Sequence, residues 1–135
     1  MDIDEIVTDL LNYAFDHGIA LIMTRQLSPH APSAVDTFSK RIIFNMNMYD
    51  RKQMPLQLAH EIKHIENGDE STELLYFTPT KAKMEFRANV GAIDMLLPFY
   101  IDEKEPQQIN IYNFMDCFSI PSHLEEAVTE AIRNY

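Results

Sequence analysis

The pentapeptide His60-Glu61-Ile62-Lys63-His64 constrains this chain more than any other part of its sequence. Residues four positions apart lie on the same face of an α-helix, about one turn from each other. Two imidazoles at that spacing can occupy two corners of a Zn²⁺ tetrahedron, and a glutamate beside the first can act as a general base. The segment therefore predicts a helix with His60 and His64 as metal ligands and Glu61 as the catalytic residue.

The residues around the pentapeptide also favour a helix. Pro55 suits a first helical turn, and Asn67-Gly68 suits a C-terminal stop. Apolar side chains recur through the segment and predict that most of the helix is buried: Leu56, Leu58, Ala59, Ile62 and Ile65. Buried histidines and glutamates are unfavourable unless their polar atoms have partners, and a metal ion would satisfy them together. Two core histidines with ordinary hydrogen bonds are the alternative.

Hydrophobic periodicity and turn residues divide the rest of the chain into short elements. The predicted helices cover 3–15, 55–67, 80–97 and 106–116, and a last helix begins at the capping box Ser122-x-x-Glu125. The predicted strands cover 19–24, 35–38 and 41–46, the last two as a hairpin. This order predicts an α+β fold with an N-terminal helix, a small mixed or antiparallel sheet of about three strands, the motif helix and C-terminal helices.

Composition limits the class of protein. Residues 1–135 are expected to form a single domain, with no apolar run near the roughly 18 residues of a membrane span. The acidic N-terminus is unlike a signal peptide, and Cys117 is the only cysteine, so we expect a cytoplasmic protein without internal disulfides. A net charge of −10 disfavours direct nucleic-acid binding and favours a basic protein partner.

A catalytic zinc site needs a third protein ligand and an open position. Glu85 is the strongest candidate because it flanks the apolar stripe of the next predicted helix, where it would face the motif helix across the metal. Asn89 lies one turn further on and is expected to hydrogen-bond a ligand histidine and fix its tautomer. The other candidates for the third ligand are the remaining carboxylates and the remaining histidines: His17, His30 and His123.

Two segments together resemble the ImmA/IrrE family of zinc metallopeptidases, which bacteria, phages and mobile elements encode. They are LAHEIKHIENGD (58–69) and EFRANVGAIDMLLP (85–98). The second block of that family typically runs Glu-x-x-Ala-Asn-x-Phe-Ala, then two Leu or Met residues and a Pro. The residues in register here are Glu85, Ala88, Asn89, Ala92, Leu96, Leu97 and Pro98. Two positions depart from the pattern: Lys63 stands where the family often has Gly, and Gly91 where it usually has Phe.

The resemblance implies a minimal zincin-like fold in which His60, His64 and Glu85 bind one Zn²⁺ and Glu61 is the catalytic acid/base. It further implies site-specific cleavage of a phage or mobile-element repressor, a helix-turn-helix protein, in the bacterial cytoplasm. The alternative is a non-proteolytic anti-repressor that binds and inactivates the regulator. A DNA-binding module built on the last two helices is disfavoured by its acidic residues, Glu125, Glu126 and Glu130.

Two further expectations concern the substrate. The strand 41–46 leads into the motif helix and is interpreted as an edge strand whose backbone at Ile42, Ile43 and Phe44 pairs with extended substrate. A second donor to the oxyanion is also expected, and four side chains remain open for that role: Tyr76, Tyr100, Tyr112 and His123.

Overall fold

The computed structural model describes residues 2–69, 79–102 and 104–135, and within them the fold is α+β, as predicted. The α-helices are α1 (Ile3–Asp16), α2 (Met54–Glu66), α3 (Pro79–Ile101), α4 (Ile111–Cys117) and α5 (Glu125–Arg133). The strands are β1 (Ala20–Thr24), β2 (Ala34–Asp36) and β3 (Arg41–Asn45), and short 3₁₀ turns cover Arg51–Gln53, Pro106–Gln108 and Ser122–Leu124. No helix among the described residues combines the length and the apolarity that crossing a membrane requires.

The sheet is mixed, with strand order β1-β3-β2. β3 pairs in parallel with β1 and antiparallel with β2, so Ile42 and Ile43 have backbone partners on both sides. Phe44 is fully buried, and the backbone N–H of Asn45 after it donates to Ser33 Oγ. The prediction of an edge strand that binds substrate through Ile42, Ile43 and Phe44 is therefore wrong. In the sheet, β2 lies on one side of β3 and β1 lies on the other.

The buried side chain of Asn45 connects the sheet to the loop before it. Its Nδ2 donates to the carbonyl oxygens of Ser28 and Ala31, both at 2.9 Å. Its Oδ1 accepts the backbone N–H of Asn47 at 2.8 Å. Asn45 has no exposed surface, so these bonds satisfy a polar group that would otherwise be costly to bury. They fix the end of β3, from which the chain proceeds to α2.

The sequence predicted that this helix would end before Pro98, but α3 continues to Ile101. A proline inside a helix removes one backbone hydrogen bond and crowds the preceding turn. The helix continues because Leu96, Leu97 and Tyr100 are all buried in the core at this end. Tertiary packing therefore outweighs the local preference of the proline.

Two helix starts near the C-terminus also differ from the prediction. The helix expected at 106–116 begins after Asn110, whose side chain accepts the backbone N–H of Asn113 at 3.0 Å. The capping box at Ser122 does not form, since α5 starts at Glu125 after a 3₁₀ turn and has no side-chain cap. In both places Pro106 or Pro121 leads into a 3₁₀ turn instead of a longer helix.

Lys63 and Gly91 occupy the contact between α2 and α3. A Cβ atom at Gly91 would lie 2.8 Å from both Cγ and Cδ of Lys63, closer than side chains approach one another. The lysine stem therefore fills the space that a side chain at position 91 would need, and its Nζ pairs with Glu66 Oε1 at 3.0 Å. The two departures from the family pattern are thus one packing feature.

The effect of Gly91→Ala is expected to depend on Lys63. Alanine is favoured over glycine inside a helix by about 1 kcal/mol, so Gly91→Ala should stabilise a Lys63→Ala background by that amount. With Lys63 present the gain should be lost, because the new methyl group displaces the lysine stem. Urea unfolding of the four proteins measures the coupling, expected to be at least about 1 kcal/mol. Equal effects in both backgrounds would contradict this contact.

Candidate metal centre

Helices α2 and α3 bring three potential ligands to one point. His60 and His64 lie one turn apart on α2, and Glu85 on α3 faces both of them. His60 Nε2 is 2.8 Å from Glu85 Oε2, His64 Nε2 is 3.2 Å from Glu85 Oε1, and the two Nε2 atoms are 3.0 Å apart. The group predicted from the sequence is therefore assembled, and it could hold a metal ion.

The spacing of these atoms fits a tetrahedral ion. With metal–ligand bonds of about 2.0–2.1 Å, neighbouring corners of a tetrahedron lie about 3.3 Å apart. The observed separations of 2.8, 3.0 and 3.2 Å are a few tenths of an ångström shorter. Two imidazole nitrogens and one carboxylate oxygen are a common ligand set of hydrolytic metal sites, with a fourth corner left for water. The three side chains thus fit a metal ion.

Asp69 orients one of the two imidazoles. Its Oδ2 lies 2.9 Å from His64 Nδ1, and both side chains are buried. Gly68, at φ +69°, turns the chain back so that the Asp69 backbone N–H donates to the His64 carbonyl oxygen at 3.0 Å. An imidazole that donates from Nδ1 to a carboxylate presents the Nε2 lone pair to a metal. Asp69 therefore selects the tautomer of His64 that binds metal.

The sequence analysis assigned this orienting role to Asn89 and missed Asp69. No hydrogen bond joins Asn89 to either ligand imidazole within the described residues, where Asn89 instead lines the cleft beside His60 and Glu85. His60 Nδ1 is buried and has no hydrogen-bond partner in the described part of the chain. The position of Asp69 directly after Gly68 could have indicated its role as the partner of His64, because a left-handed glycine brings the next residue back over the helix end.

Hydrogen bonding and burial perturb the titration of the centre. Hydrogen bonds from His60 and His64 hold the pKa of Glu85 well below its usual range. Burial lowers the pKa of His64, but its hydrogen bonds to Glu85 and Asp69 outweigh burial and raise that pKa to about 9. Burial raises the pKa of Glu61, although the nearby imidazoles oppose the shift. Glu61 therefore accepts a proton more readily than an exposed glutamate, as a general base should.

Two of the three ligands, His60 and Glu85, line an open cleft of about 270 Å³. Helices α2 and α3 form two of its walls, and the turn at Ser122–Leu124 with the preceding Pro121 forms the third. Polar side chains on the walls can bind a peptide backbone: Gln57, Asn89 and His123. A substrate in this cleft would lie next to His60 and Glu85.

The other histidines proposed as third ligands lie outside the ligand group. His17 stacks on Tyr13 with ring centroids 3.9 Å apart, and its Nδ1 is 2.7 Å from the Tyr13 carbonyl oxygen. His30 packs against Tyr49, with centroids 4.6 Å apart. His123 lines the cleft without belonging to the ligand group. Glu85 alone of the candidates completes the centre within the described residues.

Three of the four candidate oxyanion donors lie among the described residues, and they differ in whether they line the cleft. Tyr100 is buried, and its hydroxyl bonds with Asn113 Oδ1 at 2.8 Å and with the backbone of Asn110. The Tyr112 hydroxyl donates to Glu125 Oε1 at 2.6 Å. Neither tyrosine lines the cleft, whereas His123 does. The fourth candidate, residue 76, lies outside the described residues.

Comparison of the chain with family models, with curated proteins and with solved structures gives no match in any of the three. The candidate site is therefore defined by its own geometry. Among the described residues, His60, His64 and Glu85 form a group of three side chains whose ligand atoms lie close enough together to bind one ion.

Removing the charge of Asp69 should weaken metal binding. Asp69→Asn keeps an acceptor for His64 Nδ1 but loses the carboxylate charge, so we expect metal affinity to fall about tenfold, and further, toward about 100-fold, in Asp69→Ala. Competition with a chromophoric chelator measures the affinity. Asp9→Asn, which neutralises an exposed carboxylate on α1, should leave it unchanged. Equal affinities for Asp69→Ala and the unmodified chain would contradict the orienting role.

Metal binding should release a proton near neutral pH. A folded-state pKa of about 9 keeps His64 protonated at pH 7.5, but the metal binds the deprotonated nitrogen. The apparent affinity should therefore rise about tenfold per pH unit up to pH ~9 and level off above it. Calorimetric titration in two buffers of different ionisation enthalpy should show about one proton released per ion at pH ~7.5. A pH-independent affinity would contradict the raised pKa.

Proposed function

We propose that this protein is a zinc-dependent endopeptidase of the ImmA/IrrE type. One observation carries the proposal: His60, His64 and Glu85 place three ligand atoms 2.8–3.2 Å apart beside a cleft that His60 and Glu85 line, and Glu61 follows the first ligand in the chain. Two imidazole nitrogens and one carboxylate oxygen suit Zn²⁺ best, and the same ligand set can also bind Mn²⁺ or Fe²⁺. The resemblance of segments 58–69 and 85–98 to that family supports the same reading.

When bound by these side chains, the ion would lower the pKa of a water molecule and polarise a peptide carbonyl. Glu61 accepts the proton as the water oxygen attacks the carbonyl carbon, and then delivers it to the leaving amine nitrogen. The partly buried position of Glu61 and its proximity to both imidazoles support this role. Asp69 holds His64 in the tautomer that the site needs throughout.

The proposed substrate is a basic DNA-binding repressor of the helix-turn-helix class in the bacterial cytoplasm. The charge of the chain, −10, attracts a basic protein through long-range electrostatics. Exposed carboxylates on α5 near the cleft turn extend this acidic surface: Glu126 and Glu130. Electrostatic attraction of this kind affects the association rate most and weakens with salt.

Glu61→Gln should abolish cleavage while the metal stays bound. The amide cannot accept the proton of the attacking water, so the rate should fall by about 10²–10⁴-fold. Elemental mass spectrometry should still find about one zinc per chain in this variant. The substrate assay is co-expression with candidate helix-turn-helix repressors, followed by mass spectrometry of their fragments.

Glu5→Gln, an exposed change on α1, should cleave normally and is the matched control. Cleavage by the Glu61→Gln variant at the normal rate would show that the base is wrong. A regulator that loses operator binding but stays intact would favour the non-proteolytic anti-repressor. A chain that takes up no zinc would contradict the peptidase proposal.

A further inference from the structure

The five histidines of the chain differ in the contacts that their side chains make. His60 and His64 belong to the metal centre, and His17 and His30 pack against tyrosines. The side chain of His123 makes no hydrogen bond or ion pair with another described residue. It is exposed and lines the cleft with His60 and Glu85. His123 thus presents its ring nitrogens to whatever enters the cleft.

Contacts of the residues before and after His123 in the chain fix the position of its backbone. Within its own turn, the Leu124 backbone N–H donates to the Pro121 carbonyl oxygen at 3.0 Å, and Leu124 is buried. Upstream, Ile120 is buried, and Gln53 before α2 donates from Nε2 to the Ser119 carbonyl oxygen at 2.8 Å. The segment that carries His123 is therefore held against the helix that carries the metal ligands. Side chains on such supported backbone keep a productive geometry.

We propose that His123 is a catalytic residue that donates a hydrogen bond to the carbonyl oxygen of the scissile peptide bond. This proposal rests on the peptidase function proposed above. The turn that carries His123 forms a different wall of the cleft from α2, the helix that carries Glu61, so a substrate in the cleft can meet the two from different sides. Its absence from the ligand group distinguishes this role from metal binding.

The chemistry assigns His123 no net proton transfer. As the water oxygen bonds to the carbonyl carbon, the carbonyl π electrons move to the carbonyl oxygen, and His123 stabilises that charge. When the carbon–nitrogen bond breaks, the π bond re-forms and the nitrogen takes the proton that Glu61 had accepted. The proton of His123 stays on its ring throughout. Leu56, Pro121 and Leu124 line the same cleft, and their apolar surface strengthens a hydrogen bond made there.

The test compares two probes on the zinc-loaded full chain. An N-phosphoryl-leucyl dipeptide carries a tetrahedral anionic phosphoryl group in place of the scissile carbonyl, whereas acetohydroxamate reaches only the metal. Calorimetric titration measures both affinities in the unmodified chain, His123→Ala, His123→Gln and His30→Ala. His30→Ala is the matched control, because it removes an exposed imidazole that packs on Tyr49 away from the cleft.

We expect His123→Ala to weaken the phosphoryl dipeptide about 10- to 100-fold, the range for a hydrogen bond to a charged group. Acetohydroxamate affinity and zinc content should stay unchanged, His123→Gln should recover part of the loss through its amide donor, and His30→Ala should match the unmodified chain. An unchanged phosphoryl dipeptide affinity in His123→Ala would overturn the proposal, as would loss of zinc in that variant.

Two results in the unmodified chain separate the two proposals. If the chain holds zinc and binds acetohydroxamate but not the phosphoryl dipeptide, the role of His123 is overturned and the metal centre stands. If it holds no zinc and binds neither probe, the peptidase proposal fails, and the role of His123 fails with it.

Discussion

The packing of α3 against α2 is the contact on which the site depends. Ala88 and Ala92 on α3 are fully buried and small, which lets the two helix backbones approach closely. Gly91 allows the same approach because the stem of Lys63 occupies the space beside it. At this separation Glu85 meets both imidazoles at hydrogen-bonding distance. This helix separation gives ligand-atom distances of 2.8–3.2 Å, close to the roughly 3.3 Å of a tetrahedral site.

The same contact determines the charge of the centre. Glu85 and Asp69 lie on opposite sides of His64, and each carboxylate stabilises its protonated form. A proton and a metal ion therefore compete for His64 Nε2. Glu61 differs from these groups because burial is the largest influence on it. One helix thus carries a cationic ligand and a carboxylate with a raised pKa.

Access to the centre depends on the C-terminal part of the chain. Lys52 and Gln53, just before α2, bond to the carbonyl oxygens of Asp116 and Ser119. These contacts join residues more than 60 positions apart and place the turn at Ser122–Leu124 beside the cleft. The metal ligands come from α2 and α3 alone, whereas the surface that meets a substrate also requires this late segment.

The sequence by itself determined the features that local geometry controls. Helical spacing is enough to place His60, Glu61 and His64 together, and the apolar stripe of α3 is enough to turn Glu85 toward them. The tertiary structure decided the central place of β3 in the sheet, the choice of Asp69 over Asn89 as the partner of His64, and the position of His123 at the cleft. These depend on turns and on contacts between distant segments, which hydrophobic periodicity does not encode.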